Sequence, residues 1–203
     1  MYIKLKNITI RISFSFAVIF AVGMNFFDVR LYVISLLASL FHECVHLLAL
    51  KISGCKEAQL DFRFGAVKLN ASGFSMLSYD KVIFCTLSAP VMNIFAGAVC
   101  FLLYRFSGND LFLSVGTVNF IIGAINMLPL SFLDGGMAIG SFLGKHFSDE
   151  AACEISFGFS LFALAVMFCL FFAAFVKGEY YLFFFFFFIY GLLGFFCDTK
   201  GKV

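Results

Sequence analysis

Stretches without an acidic or basic residue follow one another along the chain, separated by short polar interruptions. They are Ile12–Phe27, Leu31–Leu50 (charged only within one short motif), Val82–Tyr104, Leu111–Leu133, Ile155–Val176 and Tyr180–Cys197. A helix needs about 20 apolar residues to cross about 30 Å of hydrocarbon, and four of the stretches reach that length. The first and last are shorter and need flanking residues to complete them, with Arg11 reaching back to the headgroups. The pattern predicts six transmembrane helices. The longest polar interruption, Lys51 to Asp80, changes period: Leu60, Phe62 and Phe64 alternate with Asp61 and Arg63, then Val67 and Leu69 flank Lys68. Period-two alternation broken at Gly65-Ala66 predicts a short membrane-associated β-hairpin over Gln59–Leu69. Ile3–Ile10 alternates similarly and predicts a further short strand. The expected fold is an all-α polytopic membrane protein with one small hairpin between the second and third spans, built as a single domain over residues 1–203.

Composition agrees with lipid as the solvent. Of 203 residues 63% are hydrophobic and 13% charged, about half the charge a water-facing domain carries. There are 33 Phe and no Trp, and Phe183–Phe188 is an unbroken run suited to a packing and lipid-facing helix. The first apolar stretch follows Lys4, Lys6 and Arg11 like a secretory signal, but without a convincing small-residue cleavage site it reads as an uncleaved first helix. Five of the seven cysteines (Cys44, Cys85, Cys100, Cys169 and Cys197) fall inside the spans and none forms a Cys-x-x-Cys pair, so they read as small apolar residues.

Charge placement sets orientation. With the amino terminus inside, 11 of the 14 Lys and Arg residues fall on the inner side and only Arg30, Arg105 and Lys177 outside, so both termini are expected in the cytosol. The net charge of +2 comes with no basic and aromatic patch, and no nucleic-acid partner is expected.

The second span carries the chemistry. His42-Glu43-Cys44-Val45-His46 is a His-Glu-x-x-His pattern. Residues four apart share a helix face, so both imidazoles can reach one Zn²⁺ while Glu43 abuts the metal-bound water. Ionisable groups within a span are costly and mark function. Catalytic zinc sites usually take three protein ligands, so one more is needed. Among twelve acidic residues Asp134 has distinctive surroundings: Asn126, Pro129 and the Gly135-Gly136 pair lie around it. Pro129 breaks the helix and the glycines let the backbone turn, and broken backbone at membrane depth is tolerated only against protein or a water-filled cavity. The charge count runs spans two and four in the same direction, which brings His46 and Asp134 to the same leaflet. His146, after Lys145 in a loop, reads as a surface residue.

With these motifs the chain resembles the site-2 proteases, intramembrane zinc metalloproteases marked by His-Glu-x-x-His in one helix and Asn-x-x-Pro-x-x-x-x-Asp-Gly in a later one. Here these are His42–His46 and Asn126–Gly135, and Ala89-Pro90-Val91-Met92-Asn93 is similar to the family's Gly-Pro-x-x-Asn with Ala for Gly. The resemblance implies His42, His46 and Asp134 as zinc ligands and Glu43 as catalytic base, while Asn126 offers an uncharged donor to the tetrahedral oxyanion or else ties the fourth span to a neighbour. It implies a catalytic core over about residues 8–145, with additional helices over about 155–198. Pro90, and Phe62 and Phe64 on the hairpin, are the expected substrate contacts, the hairpin either adding an extended substrate as a further strand or lying flat on the bilayer, and Asn93 makes either a further substrate contact or a structural bond. The substrate expected is a membrane-tethered protein, with membrane regulatory proteins as possible partners, in a bacterial cell membrane. The compact plan without a periplasmic PDZ domain is most similar to the branch containing the sporulation protease, which processes a sigma-factor precursor.

Two other classes compete. Prenyl-protein proteases also carry His-Glu-x-x-His but take a third ligand from a later Glu, and Glu57, Glu150, Glu154 and Glu179 all lie outside the depth of a span. A metal transporter or an inactive metal-binding membrane scaffold needs no base. A transporter needs polar residues along several spans, and only Asn93, Asn119, Asn126 and scattered hydroxyls are present.

Overall fold

A computed structural model describes the backbone of residues 2–5, 8–12, 28–55, 57–63, 66–72, 76–178 and 181–200, with side chains from 28–55, 76–178 and 181–196 apart from 183. In chain order the elements are β1 (Tyr2–Leu5), β2 (Ile8–Ile12), α1 (Val29–Ile52), β3 (Glu57–Arg63), β4 (Ala66–Ser72), α2 (Tyr79–Ser107), α3 (Asp110–Asn126), α4 (Asp134–His146), α5 (Asp149–Lys177) and α6 (Tyr181–Lys200).

Each long helix starts and stops where its caps dictate. The Asp28 carboxylate accepts from Leu31 N–H at 2.9 Å and opens α1. Lys51 sits in its last turn, and Gly54 at φ 97° turns the chain away. Gly108 and Gly178 end α2 and α5 in the same left-handed conformation. By length and composition α1, α2 and α5 can each cross a membrane, while α3 and the Phe184–Phe196 part of α6 are apolar but shorter. Most of the expected first span, residues 13–27, lies outside the described residues. The expected fourth span is not one helix. Pro129 has no N–H and its ring pushes Leu128 out of the helical region, so α3 stops at Asn126 and α4 starts at Asp134.

The chain forms two compact units, Met1–Ile125 and Asn126–Val203. In the first, the strands make one sheet in the order β1-β2-β3-β4, antiparallel except for the parallel pair β2 and β3. Its registers include Ile10 opposite Leu60 and Leu60 opposite Leu69. The predicted hairpin therefore has β3 inside a sheet, and among the described residues the sheet's edges are β1 and β4. β4 lies beside α1, and α1 beside α2. In the second unit α5 packs on both α4 and α6.

Burial is inverted relative to a protein in water. Phe157, Leu161, Phe162, Phe168, Phe172 and Phe175 of α5 are exposed, while Ser160 is 1% exposed. Likewise Asn93 is 0% exposed within α2, whose Phe95 and Leu102 face outward. Apolar side chains outside and hydrogen-bonded polar ones inside is the arrangement hydrocarbon selects, because an unpaired polar group costs several kcal/mol there. This is an integral membrane protein.

Candidate metal centre

Within the first unit, α1 places His42 and His46 one turn apart, both buried, with ring centroids 4.7 Å apart and planes at 86°. Their Nε2 atoms face each other at 3.2 Å. Each Nδ1 already has a partner: His42 Nδ1 meets Asn93 Oδ1 at 3.2 Å, and His46 Nδ1 meets the Cys85 carbonyl at 2.8 Å. A carbonyl only accepts, so His46 carries its proton on Nδ1, and the same holds for His42 against an amide oxygen. In the neutral rings both Nε2 atoms then turn lone pairs toward the same point. A cation between them would take up both lone pairs. A tetrahedral zinc with Zn–N bonds of about 2.0–2.1 Å separates two nitrogens by about 3.3 Å. The pair fits the metal.

Two features of α2 set up this arrangement. Lys81 Nζ donates to the Ser53 carbonyl at 3.0 Å, and Ser53 Oγ meets Cys85 Sγ at 3.1 Å, joining the end of α1 to the start of α2. Small residues let α3 approach α2: a Cβ on Gly123 would lie 2.8 Å from the Pro90 carbonyl, and one on Gly97 would lie 3.0 Å from the Gly116 carbonyl. Glu43, one position after His42, is half-buried.

Within the second unit Asp134 is the first residue of α4 and 8% exposed. The first turn of a helix favours a carboxylate, since its N–H groups and dipole face the charge. The preceding segment closes tightly on itself, with Leu130 N–H donating to Leu128 O and Leu133 N–H to Leu130 O, each at 2.8 Å. Ser160 of α5 secures it from behind, its Oγ accepting from Ser131 N–H at 3.2 Å and lying 3.2 Å from the Pro129 carbonyl, to which it can donate. Phe132 is held by α6, edge-on to Tyr190 at 5.7 Å and pressed on Gly194, where a Cβ would come within 2.4 Å of the ring.

His42 and His46 in the first unit and Asp134 in the second are each buried, and each offers one ligand atom of a kind that holds a metal. Asn126 ends α3 and is half-buried. Pro90 and Asn93, expected at the substrate, are fully buried inside the helix packing. Asn93 spends its polar atoms on His42 and Asn119. Phe62 lies in β3 with its side chain outside the described residues, as is Phe64 altogether. Sequence reasoning passed over Asn119, Ser160 and Gly194 as site residues. Only a polar or small residue in an apolar helix marks each of them.

Fold and site define a polytopic membrane protein built around a buried donor set. The chain has the fold of the site-2 proteases: it is similar to the structure titled Site-2 Protease from Methanocaldococcus jannaschii, with a TM-score of 0.64 and 16% sequence identity over 97% of this chain and 92% of that one. That likeness does not single out the sporulation branch. No protein-family model and no curated protein sequence matches the chain.

Proposed function

We propose that the protein is an intramembrane zinc metalloendopeptidase cutting a membrane-tethered protein in or near its transmembrane segment. His42, His46 and Asp134 hold the metal and Glu43 is the base. The observation that carries the reading is the pair of Nε2 atoms 3.2 Å apart with both Nδ1 atoms engaged elsewhere. Zn²⁺ would supply Lewis acidity there, bringing a water toward ionisation near neutral pH.

The chain's own groups do the rest. The Glu43 carboxylate takes the proton of the attacking water and passes it to the leaving amide nitrogen. The Asn126 side-chain amide donates to the oxyanion, a contribution of several kcal/mol where such donors act. Asp134 adds the negative charge that two neutral imidazoles lack. Asn93 bonds to His42 and to Asn119, and Asn119 to the Val115 carbonyl, which favours an enzyme over a transporter, since these groups are engaged rather than lining a path. By the placement of Lys and Arg, both termini face the cytosol. A sporulation sigma-factor precursor belongs to the proposed substrate class, and the genes flanking this one test that choice.

Metal content tests the site. Purified wild type is expected to carry about one zinc per chain, and His46→Ala and Asp134→Ala to lose most of it. Asp149→Ala, at an exposed carboxylate opening α5, should stay loaded. Equal occupancy in the Asp134 and Asp149 variants would move the third ligand elsewhere.

A substrate must be extended to be cut, and its backbone then needs partners. β4 is an open edge beside α1, so the substrate strand is proposed to add there rather than at β3. Proline at alternate positions from Ala66 to Ser72 removes one set of N–H donors at a time. In one register cleavage should fall while zinc content holds. If all such variants cleave normally, substrate does not pair with β4.

A further inference from the structure

His42 needs its proton on Nδ1 to offer a lone pair at Nε2, and the structure traces what imposes that choice. A chain of three hydrogen bonds runs from α3 through α2 to α1. Asn119 Nδ2 donates to the Val115 carbonyl at 2.9 Å, Asn93 Nδ2 donates to Asn119 Oδ1 at 3.2 Å, and Asn93 Oδ1 faces His42 Nδ1 at 3.2 Å. The direction of the whole chain follows from its far end. The Val115 carbonyl only accepts, so the Asn119 nitrogen must point at it and the Asn119 oxygen must point at Asn93. Asn93 then turns its nitrogen to Asn119, with the Ala38 carbonyl 3.5 Å away, and its oxygen to His42. Asn93 is fully buried and Asn119 is 6% exposed, so water does not compete for these bonds. Reversing any one amide would set two donors or two acceptors against each other in a low-dielectric interior.

We infer that Asn119 is a positioning residue for the metal centre, acting through Asn93 to lock His42 in the Nδ1–H tautomer, the form whose Nε2 can donate a lone pair to a metal. His46 needs no such relay, since a backbone carbonyl does the same for it directly. Outer partners of metal-bound histidines commonly set tautomer and ring orientation, and their loss typically lowers metal affinity by about 10–100-fold. Here the anchor stands two residues removed from the ligand, on a different helix. Because the role is stated as one toward the metal, it rests on the proposed metal site, but the tautomer itself can be read without metal.

Three variants and two readouts test it. Asn119→Leu keeps the volume and removes both polar atoms. Asn119→Asp, neutral in this apolar setting, keeps an oxygen for Asn93 and an O–H for Val115. Asn119→Ser is smaller and too short to reach Asn93. The first readout is ¹⁵N chemical shifts of histidine-labelled, metal-free protein in detergent, His42 being assigned by its loss in His42→Gln. The second is Zn²⁺ affinity by competition with a chelator. Wild type and Asn119→Asp should show His42 protonated on Nδ1. Asn119→Leu and Asn119→Ser should shift it toward the Nε2–H form and weaken zinc about 10–100-fold, with Asn119→Asp within about threefold of wild type. A wild-type His42 found as Nε2–H overturns the relay with no variant needed, even if Asn119→Leu fails to fold. An unchanged tautomer and zinc affinity in Asn119→Ser overturns it as well. A wild type that shows the Nδ1–H form but binds no zinc overturns the metal site and with it the role toward the metal.

Discussion

Purified Glu43→Gln protein is expected to keep its zinc and to lose cleavage by at least about 10²–10⁴-fold, the range a positioned general base contributes. The separation follows from helix geometry. His42 and His46 are four residues apart and share a face, with their Nε2 atoms turned to one point. Glu43 is one residue after His42, about 100° further round the helix, and is half-buried where both imidazoles are buried. Gln matches Glu in shape and can still orient a water, but its amide has no useful basicity. A transition-state role therefore appears as a fall in kcat with little change in zinc content. His46→Ala, by contrast, should lose metal and activity together. The measurement is zinc per chain by elemental analysis, beside cleavage of a detergent-solubilised transmembrane peptide. A Glu43→Gln enzyme cutting at the wild-type rate would remove the base from the mechanism. One that also loses its zinc would make Glu43 a ligand instead.

What could be read from the sequence was local. Two histidines at helix spacing and a proline that stops a helix each act over a few residues and appear where the pattern puts them, whereas the Gly135-Gly136 pair, expected to turn the backbone, lies in the first turn of α4 against the backbone of Met127 and Leu130. Residues 111–133 read as one apolar stretch, yet the helix within it stops at Asn126, three residues before Pro129. Apolarity persists through Leu128, Leu130, Phe132 and Leu133, because the segment is buried, although the backbone there is not helical. Hydropathy reports the solvent a segment avoids and not its conformation. The sheet shows a similar limit. Alternation identifies β3 and its hairpin partner β4 but not the neighbour on its other side, where the parallel pairing with β2 joins Ile10 to Leu60 across fifty positions. For Asn93 the sequence leaves a substrate contact and a structural bond both open. The structure gives it a bond to His42 Nδ1, which no spacing rule connects to it.

Solvent inversion explains why these long-range bonds matter so much here. In hydrocarbon the apolar side chains gain little by turning inward, so α5 leaves its phenylalanines outside. Specificity of packing then depends on close backbone approach at small residues and on bonds between polar ones. Both recur around the site: Gly97, Gly116 and Gly123 between α2 and α3, Asn93 with Asn119, and Ser160 against the Pro129 loop. Among the described residues no buried side-chain nitrogen or oxygen lacks a partner.

Gly136→Ala is expected to be among the most damaging single-methyl additions in the second unit, and Gly140→Ala, one turn later on the same helix, among the best tolerated. A Cβ on Gly136 would lie 2.0 Å from the Leu130 carbonyl oxygen, 2.3 Å from its carbon and 2.7 Å from Ser131 N. All three are backbone atoms of the loop leading to Asp134, and that loop cannot retreat. Leu130 N–H is bonded to Leu128 O, Leu133 N–H to Leu130 O, and Ser131 N–H to Ser160 Oγ on α5. At Gly140 the nearest atom to an added Cβ is Ser156 Oγ at 3.7 Å, an ordinary contact. Both positions are helical, so both gain about 0.5–1 kcal/mol from replacing Gly by Ala. At Gly140 that gain stands alone and the variant should melt slightly higher. At Gly136 overpacking should outweigh it by at least about 3 kcal/mol, the upper part of the usual range, either unfolding the unit or pushing the loop aside. If the loop moves, Asp134 moves with it, and zinc content should fall even in protein that still folds. Thermal unfolding and zinc content of the two variants, measured side by side in detergent, decide the matter. If Gly136→Ala matches Gly140→Ala in both, the close approach of loop to helix is not what positions Asp134.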